Sequence, residues 1–331
     1  MKILILKYRS QYIQSIMKYE KHHLDQITSI FPDSQIVVID SIPEEINKHL
    51  PDTDILIMSP LDHIQLVDFS KTKQLKWIHQ TAAGTVPLVE KLKGTSIILT
   101  NSSGVHPIPI AEQIFTFILM LSRQFHRSYR NQIESKKWIQ NDIDGNLLEL
   151  YQSTIGIVGF GRIGKRVAKI AKAFDMRVLT LSSERSPETD PNVDVYFSRN
   201  EVESLLKESD FVVDCLPSTT KTDGYFNQHS FEQMKSSAFF INIGRGSTVI
   251  EKDLITALKN KVIAGAGLDV FSKEPLDSES ELWNLKNVIL TPHYAGWTPR
   301  YIDRVINIFC DNLKAYIKQD KMPNFVPVNE E

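Results

Sequence analysis

Residues Thr154 to Phe174 read TIGIVGFGRIGKRVAKIAKAF, and this stretch decides the fold. It begins with an apolar run up to Val158, which has the length and composition of a buried strand. A cluster of glycines follows directly, and beyond it the apolar residues recur with the spacing of a helix. The stretch therefore predicts a strand, a tight turn and a helix, in that order.

The glycines Gly159, Gly161 and Gly164 have the spacing of a turn that closely approaches a pyrophosphate group. A side chain here would stand between backbone and ligand, whereas the start of the next helix offers free amides and a partial positive charge. Because the strand and the helix flank the turn on the correct sides, we predict a dinucleotide site that also includes Arg162 and Ile163.

Short apolar runs alternate with helical segments along most of the chain. Strands of this length with helical connections form parallel sheets that are covered on both faces, so the sequence predicts a doubly wound α/β fold. The predicted strands are Lys2–Leu6, Gln35–Ile39, Ile55–Met58, Leu75–His79, Ile97–Thr100, Thr154–Val158, Arg177–Leu181, Phe211–Leu216, Ala238–Ile243, Ala264–Val270 and Val288–Leu290.

Several helix boundaries have sequence signals. One long apolar helix is predicted over residues 109–130. Ser230 precedes Gln233 by three positions, the spacing of a capping box, and predicts a helix start. Thr298-Pro299 predicts the start of the last helix, because proline is favoured at the first helical position.

The composition is that of an ordinary globular protein. With 331 residues, 42% hydrophobic and 24% charged, the chain is long enough for two domains. A net charge of -2 gives no reason to expect binding to nucleic acid or to a membrane surface. The segment 108–121 is apolar but shorter than the roughly 20 residues that a membrane span needs. Cys215 and Cys310 support neither a disulfide framework nor a metal site, which favours a reducing, cytoplasmic setting.

The second strand of the dinucleotide fold ends near Leu181, where an acidic residue normally binds the adenosine ribose. Ser182 and Ser183 carry no charge that would repel a 2'-phosphate, and Arg185 could pair with one. We therefore favour NADP as the cofactor. NAD stays open, because a small shift in register would let Glu184 bind the ribose.

Arg245, Glu274 and His293 each follow an apolar, strand-like run. The planar guanidinium of Arg245, between two glycines, matches the carboxylate of a 2-oxo acid. A carboxylate beside an imidazole fixes the tautomer of the ring and favours its protonated form, which a proton donor needs. Their spacing alone does not decide whether Glu274 and His293 meet.

These residues resemble those of the D-isomer-specific 2-hydroxyacid dehydrogenases, over the range from about Gly84 to Thr298. The resemblance implies that Arg245 binds the substrate carboxylate and polarises the keto group, that His293 is the general acid/base and that Glu274 is its partner. The motifs that carry it are Gly159–Gly164, Leu216-Pro217 with Thr222, Asn242–Gly246, Gly267–Phe271 with Glu274-Pro275-Leu276, and Thr291-Pro292-His293.

The resemblance implies further contacts. Backbone amides at Ala83 and Gly84 would bind the substrate carboxylate, and Asp269 would contact the nicotinamide carboxamide. Other cofactor contacts are implied at Leu216, Pro217, Thr222 and Ile243.

The family fold implies two Rossmann-like, doubly wound domains, the first split by insertion of the second. Residues 1–101 and 298–331 would form a flavodoxin-like substrate domain, and residues 102–297 the dinucleotide-binding domain. Turn signals at Asn101–Gly104 and near Gly296 agree with this division. Family members usually dimerise through the cofactor domain, so we expect a homodimer, with the long apolar helix as its interface.

The sequence therefore predicts an NAD(P)-dependent oxidoreductase that transfers hydride between nicotinamide and a small 2-oxo or 2-hydroxy acid. No metal site is predicted. The alternative is a dinucleotide-sensing regulatory protein on the same scaffold, and a nearer one is an enzyme acting on formate or phosphite. Residues 1–80 match the family only in pattern, so glyoxylate, hydroxypyruvate and larger 2-oxo acids all stay open as substrates.

Overall fold

The chain divides into two compact units in the computed structural model, which describes residues 1–10, 17–84, 86–138, 147–181 and 190–328. The first unit consists of Met1–Val105 and Trp297–Glu331. The second consists of His106–Gly296, so it interrupts the first in sequence.

Strands and helices alternate along the described residues. The strands are β1 (Lys2–Leu6), β2 (Gln35–Ile39), β3 (Ile55–Met58), β4 (Trp77–Gln80), β5 (Ile98–Asn101), β6 (Thr154–Val158), β7 (Arg177–Leu181), β8 (Val195–Phe197), β9 (Phe211–Asp214), β10 (Phe239–Asn242), β11 (Gly265–Leu268), β12 (Val288–Leu290) and β13 (Phe325–Val326). The α-helices are α1 (Lys21–Ile30), α2 (Pro43–His49), α3 (Pro60–His63), α4 (Val86–Leu92), α5 (Pro107–Ser122), α6 (Phe125–Glu134), α7 (Arg162–Ala173), α8 (Val202–Glu208), α9 (Gln228–Glu232), α10 (Glu251–Lys259) and α11 (Tyr301–Lys318).

The first unit contains one sheet in the order β2-β1-β3-β4-β5-β13. The first five strands run parallel, in the order of a flavodoxin-like doubly wound sheet, and β13 adds an antiparallel edge. The strands β1 and β3 are buried throughout. One of their faces packs on α11, where Phe309 and Leu313 join Ile5 and Trp77 in an apolar cluster.

The second unit contains a parallel sheet in the order β8-β7-β6-β9-β10-β11-β12. This is the dinucleotide-binding order with one further strand, so the predicted fold class is confirmed. Separate apolar clusters cover its two faces, one with Phe117 of α5 and Val167 of α7, the other with Phe231 of α9 and Leu254 of α10. The strand order reverses between β6 and β9, which pair directly. Ligands bind outside the carboxyl ends of the strands at such a point.

The long helix predicted over residues 109–130 is wrong as a single element. It is divided into α5 and α6, because Gln124 between them adopts a left-handed backbone with φ of 52°. The side-chain amide of Gln124 donates to the carbonyl of Leu121 at 2.9 Å and satisfies an acceptor at the end of α5. Among the described residues, no helix is long and apolar enough to cross a membrane.

Two predicted helix starts are shifted. The helix α9 is capped by Asn227, whose side chain accepts from the amide of Ser230, so Ser230 lies inside the helix. The helix α11 begins at Tyr301 and not at Pro299, since the Thr298 hydroxyl accepts from the amide of Arg300 in a preceding turn. The strands β8 and β13 were not predicted, because β8 is only partly buried over its three residues and β13 has only two residues.

Candidate active site

The loops that follow the carboxyl ends of the strands in the second sheet contain most of the predicted site residues. Gly159 follows β6, Leu216 follows β9, Arg245 follows β10, Glu274 follows β11 and His293 follows β12. The strands β9 to β12 are consecutive neighbours in the parallel sheet, and β6 pairs with β9. Because the carboxyl ends of parallel strands lie on the same side of a sheet, these loops lie near one another.

The glycine turn lies at the point where the strand order reverses. Gly159 has φ of +103°, and a Cβ there would lie 2.7 Å from the backbone of Cys215 in the loop after β9. A Cβ on Gly164 would lie 2.7 Å from the carbonyl oxygen of Gly159, so the helix packs directly on the turn. Gly161 precedes α7 and faces open space, with no acidic residue in the first helical turn. This geometry suits an anionic pyrophosphate.

The loop after β9 has an internal framework of hydrogen bonds. The Thr222 hydroxyl donates to the carbonyl of Pro217 at 2.6 Å and accepts from the amide of Thr219 at 2.9 Å. The amide of Leu216 donates to the Asp214 carboxyl group at 2.8 Å. These bonds fix the conformation of the loop, in which the amide of Leu216 lies beside Gly159, while Ile243 is buried in the next loop.

The residues on which the choice between NADP and NAD depends cannot be placed in this framework. Ser182, Ser183, Glu184 and Arg185 lie outside the described residues. Their roles remain predictions from the sequence.

Glu274 and His293 are in direct contact. The Nδ1 atom of His293 lies 2.6 Å from Oε2 of Glu274, and the other oxygen of Glu274 accepts from the amide of Phe271 at 3.0 Å. A carboxylate oxygen accepts, so Nδ1 carries the hydrogen and Nε2 is the atom left to face a ligand. Half of the His293 side chain is exposed, compared with 35% of that of Glu274.

The backbone of the His293 loop is held by Asp269. His293 has φ of +50°, a left-handed conformation that favours glycine, and its amide donates to the Asp269 carbonyl at 3.0 Å. The buried Asp269 carboxyl group accepts from the Thr291 hydroxyl at 2.5 Å and from the amides of Tyr294 and Ala295 at 3.2 and 3.0 Å. Burial raises the pKa of Asp269 above its ordinary value. The sequence predicted a cofactor contact for Asp269, but it did not reveal that Asp269 fixes the backbone of the His293 loop.

Arg245 is exposed, in a turn after β10 whose neighbouring residues Gly244 and Gly246 are buried. Its Nη1 atom donates to the carbonyl of Gly244 at 2.6 Å. Asn242 supports the turn, because its side chain accepts from the amide of Gly244 at 3.0 Å and donates to the carbonyl of Arg245 at 3.3 Å. Within the described part of the chain, no hydrogen bond or ion pair joins the Arg245 guanidinium to Glu274 or His293.

The Arg245 turn and the Glu274 loop are nevertheless in contact through their backbones. A Cβ on Gly246 would lie 1.8 Å from the carbonyl oxygen of Phe271, so only glycine permits this approach. The contact fixes the position of the arginine turn relative to the loop that contains the carboxylate partner of His293.

Sequence reasoning missed Asp214 and Thr248, which also support the Arg245 turn. The Thr248 hydroxyl contacts both the Asp214 carboxyl group and the Arg245 carbonyl. A signal was available for Asp214, which is a charged residue at the end of a buried strand, β9. Thr248 has no comparable signal.

The predicted anion loop lies in the first unit. The carbonyl of Ala83 accepts from the Asn101 side chain at 3.1 Å, and that of Gly84 accepts from the side chain of Gln80. The amides of Ala83 and Gly84 have no acceptor among the described residues. Their role in binding an anion stays a prediction from the sequence.

His22, His23 and Asp303 in the first unit are close enough to hold a metal ion. The Nδ1 atom of His23 accepts from the amide of Glu20 at 2.9 Å, so its Nε2 atom carries the hydrogen. That atom donates to Asp303 at 2.8 Å. These bonds make the cluster a hydrogen-bonded contact between α1 and α11.

Comparison with known proteins places the chain in a family. A family model described as "D-isomer specific 2-hydroxyacid dehydrogenase, NAD binding domain" matches residues 115–295. The chain is 34% identical over 289 residues to a glyoxylate reductase of Pyrococcus furiosus, covering 86% of this chain and 85% of that protein. It is 30% identical over 282 residues to a hydroxypyruvate reductase of Blautia hydrogenotrophica, covering 83% and 85%.

A solved structure agrees with these matches. A D-isomer specific 2-hydroxyacid dehydrogenase family protein from Aeromonas salmonicida has a TM-score of 0.81 and 29% identity, over 99% of both chains. The region that the family model matches contains the glycine turn, Arg245, Glu274 and His293. The chain therefore belongs to the D-isomer specific 2-hydroxyacid dehydrogenase family, and it is an oxidoreductase with a domain for a nicotinamide dinucleotide.

Proposed function

We propose that this protein reduces small 2-oxo acids to 2-hydroxy acids with a reduced nicotinamide dinucleotide. The observation that carries the proposal is the contact between His293 and Glu274, 2.6 Å long, at the sheet edge that also bears the glycine turn. A proton donor beside a dinucleotide site is what reduction of a keto group requires.

Each site residue has a distinct role in this proposal. Arg245 binds the substrate carboxylate and polarises the keto oxygen. The binding of a carboxylate by the amides of Ala83 and Gly84 stays a prediction from the sequence. His293 donates a proton from Nε2 to the keto oxygen. Glu274 holds the ring in that tautomer and stabilises its charged form.

The glycine turn would hold the pyrophosphate of the dinucleotide, with Asp269, Ile243 and the residues Leu216, Pro217 and Thr222 beside it. Bound reduced nicotinamide supplies the hydride that the keto carbon accepts. Arg245 and His293 stabilise the negative charge that develops on the keto oxygen.

Glyoxylate and hydroxypyruvate are the proposed substrates. Relatives at 34% and 30% identity are a glyoxylate reductase and a hydroxypyruvate reductase, and both matches cover more than four fifths of this chain. We propose NADP over NAD, because Ser182, Ser183 and Arg185 suit a 2'-phosphate better than an acidic residue would.

A rate panel tests substrate and cofactor together. Oxidation of NADPH and of NADH would be followed with glyoxylate, hydroxypyruvate and pyruvate. Reduction of NADP and of NAD would be followed with formate and with phosphite. We expect glyoxylate and hydroxypyruvate to be reduced, with kcat/KM higher for NADPH than for NADH. Binding of the dinucleotide without turnover of any acid would contradict the proposal and favour a dinucleotide-sensing regulatory protein. A higher kcat/KM with NADH would contradict the NADP preference alone.

We also propose a cytoplasmic homodimer that forms through the cofactor domain. Phe125, Tyr129 and Ile133 occupy successive turns on one face of α6, and each is more than half exposed. An apolar stripe of this kind is typical of an interface. Light scattering is expected to give twice the chain mass of 37.8 kDa, and a monomeric mass at micromolar concentration would contradict the proposal.

A further inference from the structure

Asp214, at the carboxyl end of β9, connects two loops of the site. Its Oδ1 atom accepts from the amide of Leu216 in the cofactor loop at 2.8 Å. Its Oδ2 atom lies 2.5 Å from the hydroxyl of Thr248, in the turn that follows Arg245. The side chain is completely buried.

The hydrogens around Thr248 can be counted. Its hydroxyl oxygen lies 2.5 Å from Asp214 Oδ2 and 2.6 Å from the carbonyl oxygen of Arg245. Two oxygen–oxygen contacts this short each need a hydrogen between them. The hydroxyl supplies one hydrogen, and the Arg245 carbonyl has none to offer. The second hydrogen must therefore come from Asp214.

The surroundings of Asp214 also disfavour a charge. Among the described residues, no lysine, arginine or histidine forms an ion pair with it, and a buried unpaired carboxylate is costly. The neighbouring ionisable groups are the Cys215 thiol and the Tyr225 phenol, and burial raises the pKa of both. Both groups therefore stay neutral in the pH range in which a carboxyl group ionises. The guanidinium on the adjoining turn, that of Arg245, is bonded to the Gly244 carbonyl.

We propose that Asp214 is a neutral carboxylic acid that donates to Thr248 and thereby positions the Arg245 turn to bind the substrate carboxylate. Asp214 is a positioning residue, since it acts through Thr248 and the Arg245 backbone. The effect on substrate binding rests on the proposed function of Arg245, whereas the protonation of Asp214 does not.

Ionisation of Asp214 has a defined consequence. A carboxylate can only accept, so the Thr248 hydroxyl must turn towards it and release the Arg245 carbonyl. Burial raises the pKa of Asp214 to about 7, so the acid is neutral below that pH and ionised above it. The turn is therefore held by the full set of hydrogen bonds at low pH and loses one of them as the pH rises. KM for the 2-oxo acid should therefore increase as the pH rises.

Asp214→Asn tests the hydrogen-bond pattern, because an amide keeps one donor and one acceptor and cannot ionise. Asp214→Ala should raise KM for the 2-oxo acid at every pH, and Asp214→Asn should restore it. From pH 6 to 9, the KM of the wild type relative to that of Asp214→Asn should rise roughly fivefold, which is what loss of one hydrogen bond produces. Ionisations that both proteins share cancel in this ratio. A ratio that stays constant over this range would overturn the proposal.

A direct measurement on the unliganded protein separates this inference from the proposed function. Infrared difference spectra between wild type and Asp214→Asn should show the C=O stretch of a protonated carboxyl group at pH 6, and it should fade by pH 9. Absence of the band at pH 6 would overturn the proposal even in an active enzyme. Presence of the band in a protein that reduces no 2-oxo acid would support the neutral acid and refute only the proposed function.

Discussion

His293→Asn is expected to lower kcat for 2-oxo acid reduction by about 10³-fold, within the range of general acid catalysis. Asparagine can still donate a weak hydrogen bond, but it cannot transfer a proton to the keto oxygen. The loop should keep its conformation, because the Asp269 carboxyl group holds the backbone at Tyr294 and Ala295 and does not contact the ring. Dinucleotide affinity should therefore stay close to that of the wild type. Single-turnover rates and fluorescence titration with the reduced dinucleotide would measure the two quantities separately.

His229 provides a matched control for this variant. It also contacts a carboxylate, Glu203, at 3.1 Å, but it is exposed on α9. His229→Asn should leave kcat within twofold of the wild type, on the order expected for an exposed pair. A kcat of His293→Asn as high as that of the control would refute the role of His293 as proton donor.

Arg245→Ala is expected to lower kcat/KM for the 2-oxo acid by about 10³-fold, because both the anchor of the carboxylate and the charge that stabilises the developing oxyanion are lost. KM should rise and kcat should fall together. Arg245→Lys should recover only part of the activity, since an ammonium group cannot form two parallel hydrogen bonds with a carboxylate.

Arg177 offers the corresponding control. It is exposed at the amino end of β7, at the opposite edge of the same sheet, and pairs with Glu208 at 2.6 Å. Arg177→Ala should leave kcat/KM unchanged. A defect of Arg245→Ala that is confined to dinucleotide affinity would show that this residue serves the cofactor instead of the substrate.

Much of the fold could be predicted from local patterns. The runs at Lys2–Leu6, Ile55–Met58 and Thr154–Val158 became strands with the predicted bounds, since each is apolar enough to be buried on both faces. The predicted strand Phe211–Leu216 ends at Asp214, because the side chain of Asp214 accepts from the amide of Leu216 and turns the chain. That bond depends on a buried carboxyl group, which an apolar pattern does not reveal.

The candidate site was predicted as residue types and not as contacts. The sequence indicated a cation, a carboxylate and an imidazole, each after a strand, and the motifs around them resembled one family. That Glu274 touches His293, and that Gly246 lets the Arg245 turn approach Phe271, depends on loops that are distant in sequence. The hold of Asp269 on the His293 loop was missed for the same reason.

The sequence by itself determined most of the strands, where the glycine turn lies and which side chains could do the chemistry, because periodicity and turn composition are local properties. Only the tertiary structure decided that β9 to β12 are neighbours, that the loops after them lie on the same side of the sheet, and that Asp214 contacts Thr248. Strand order, burial and hydrogen-bond partners depend on packing between residues that are far apart in the chain, which local patterns do not specify.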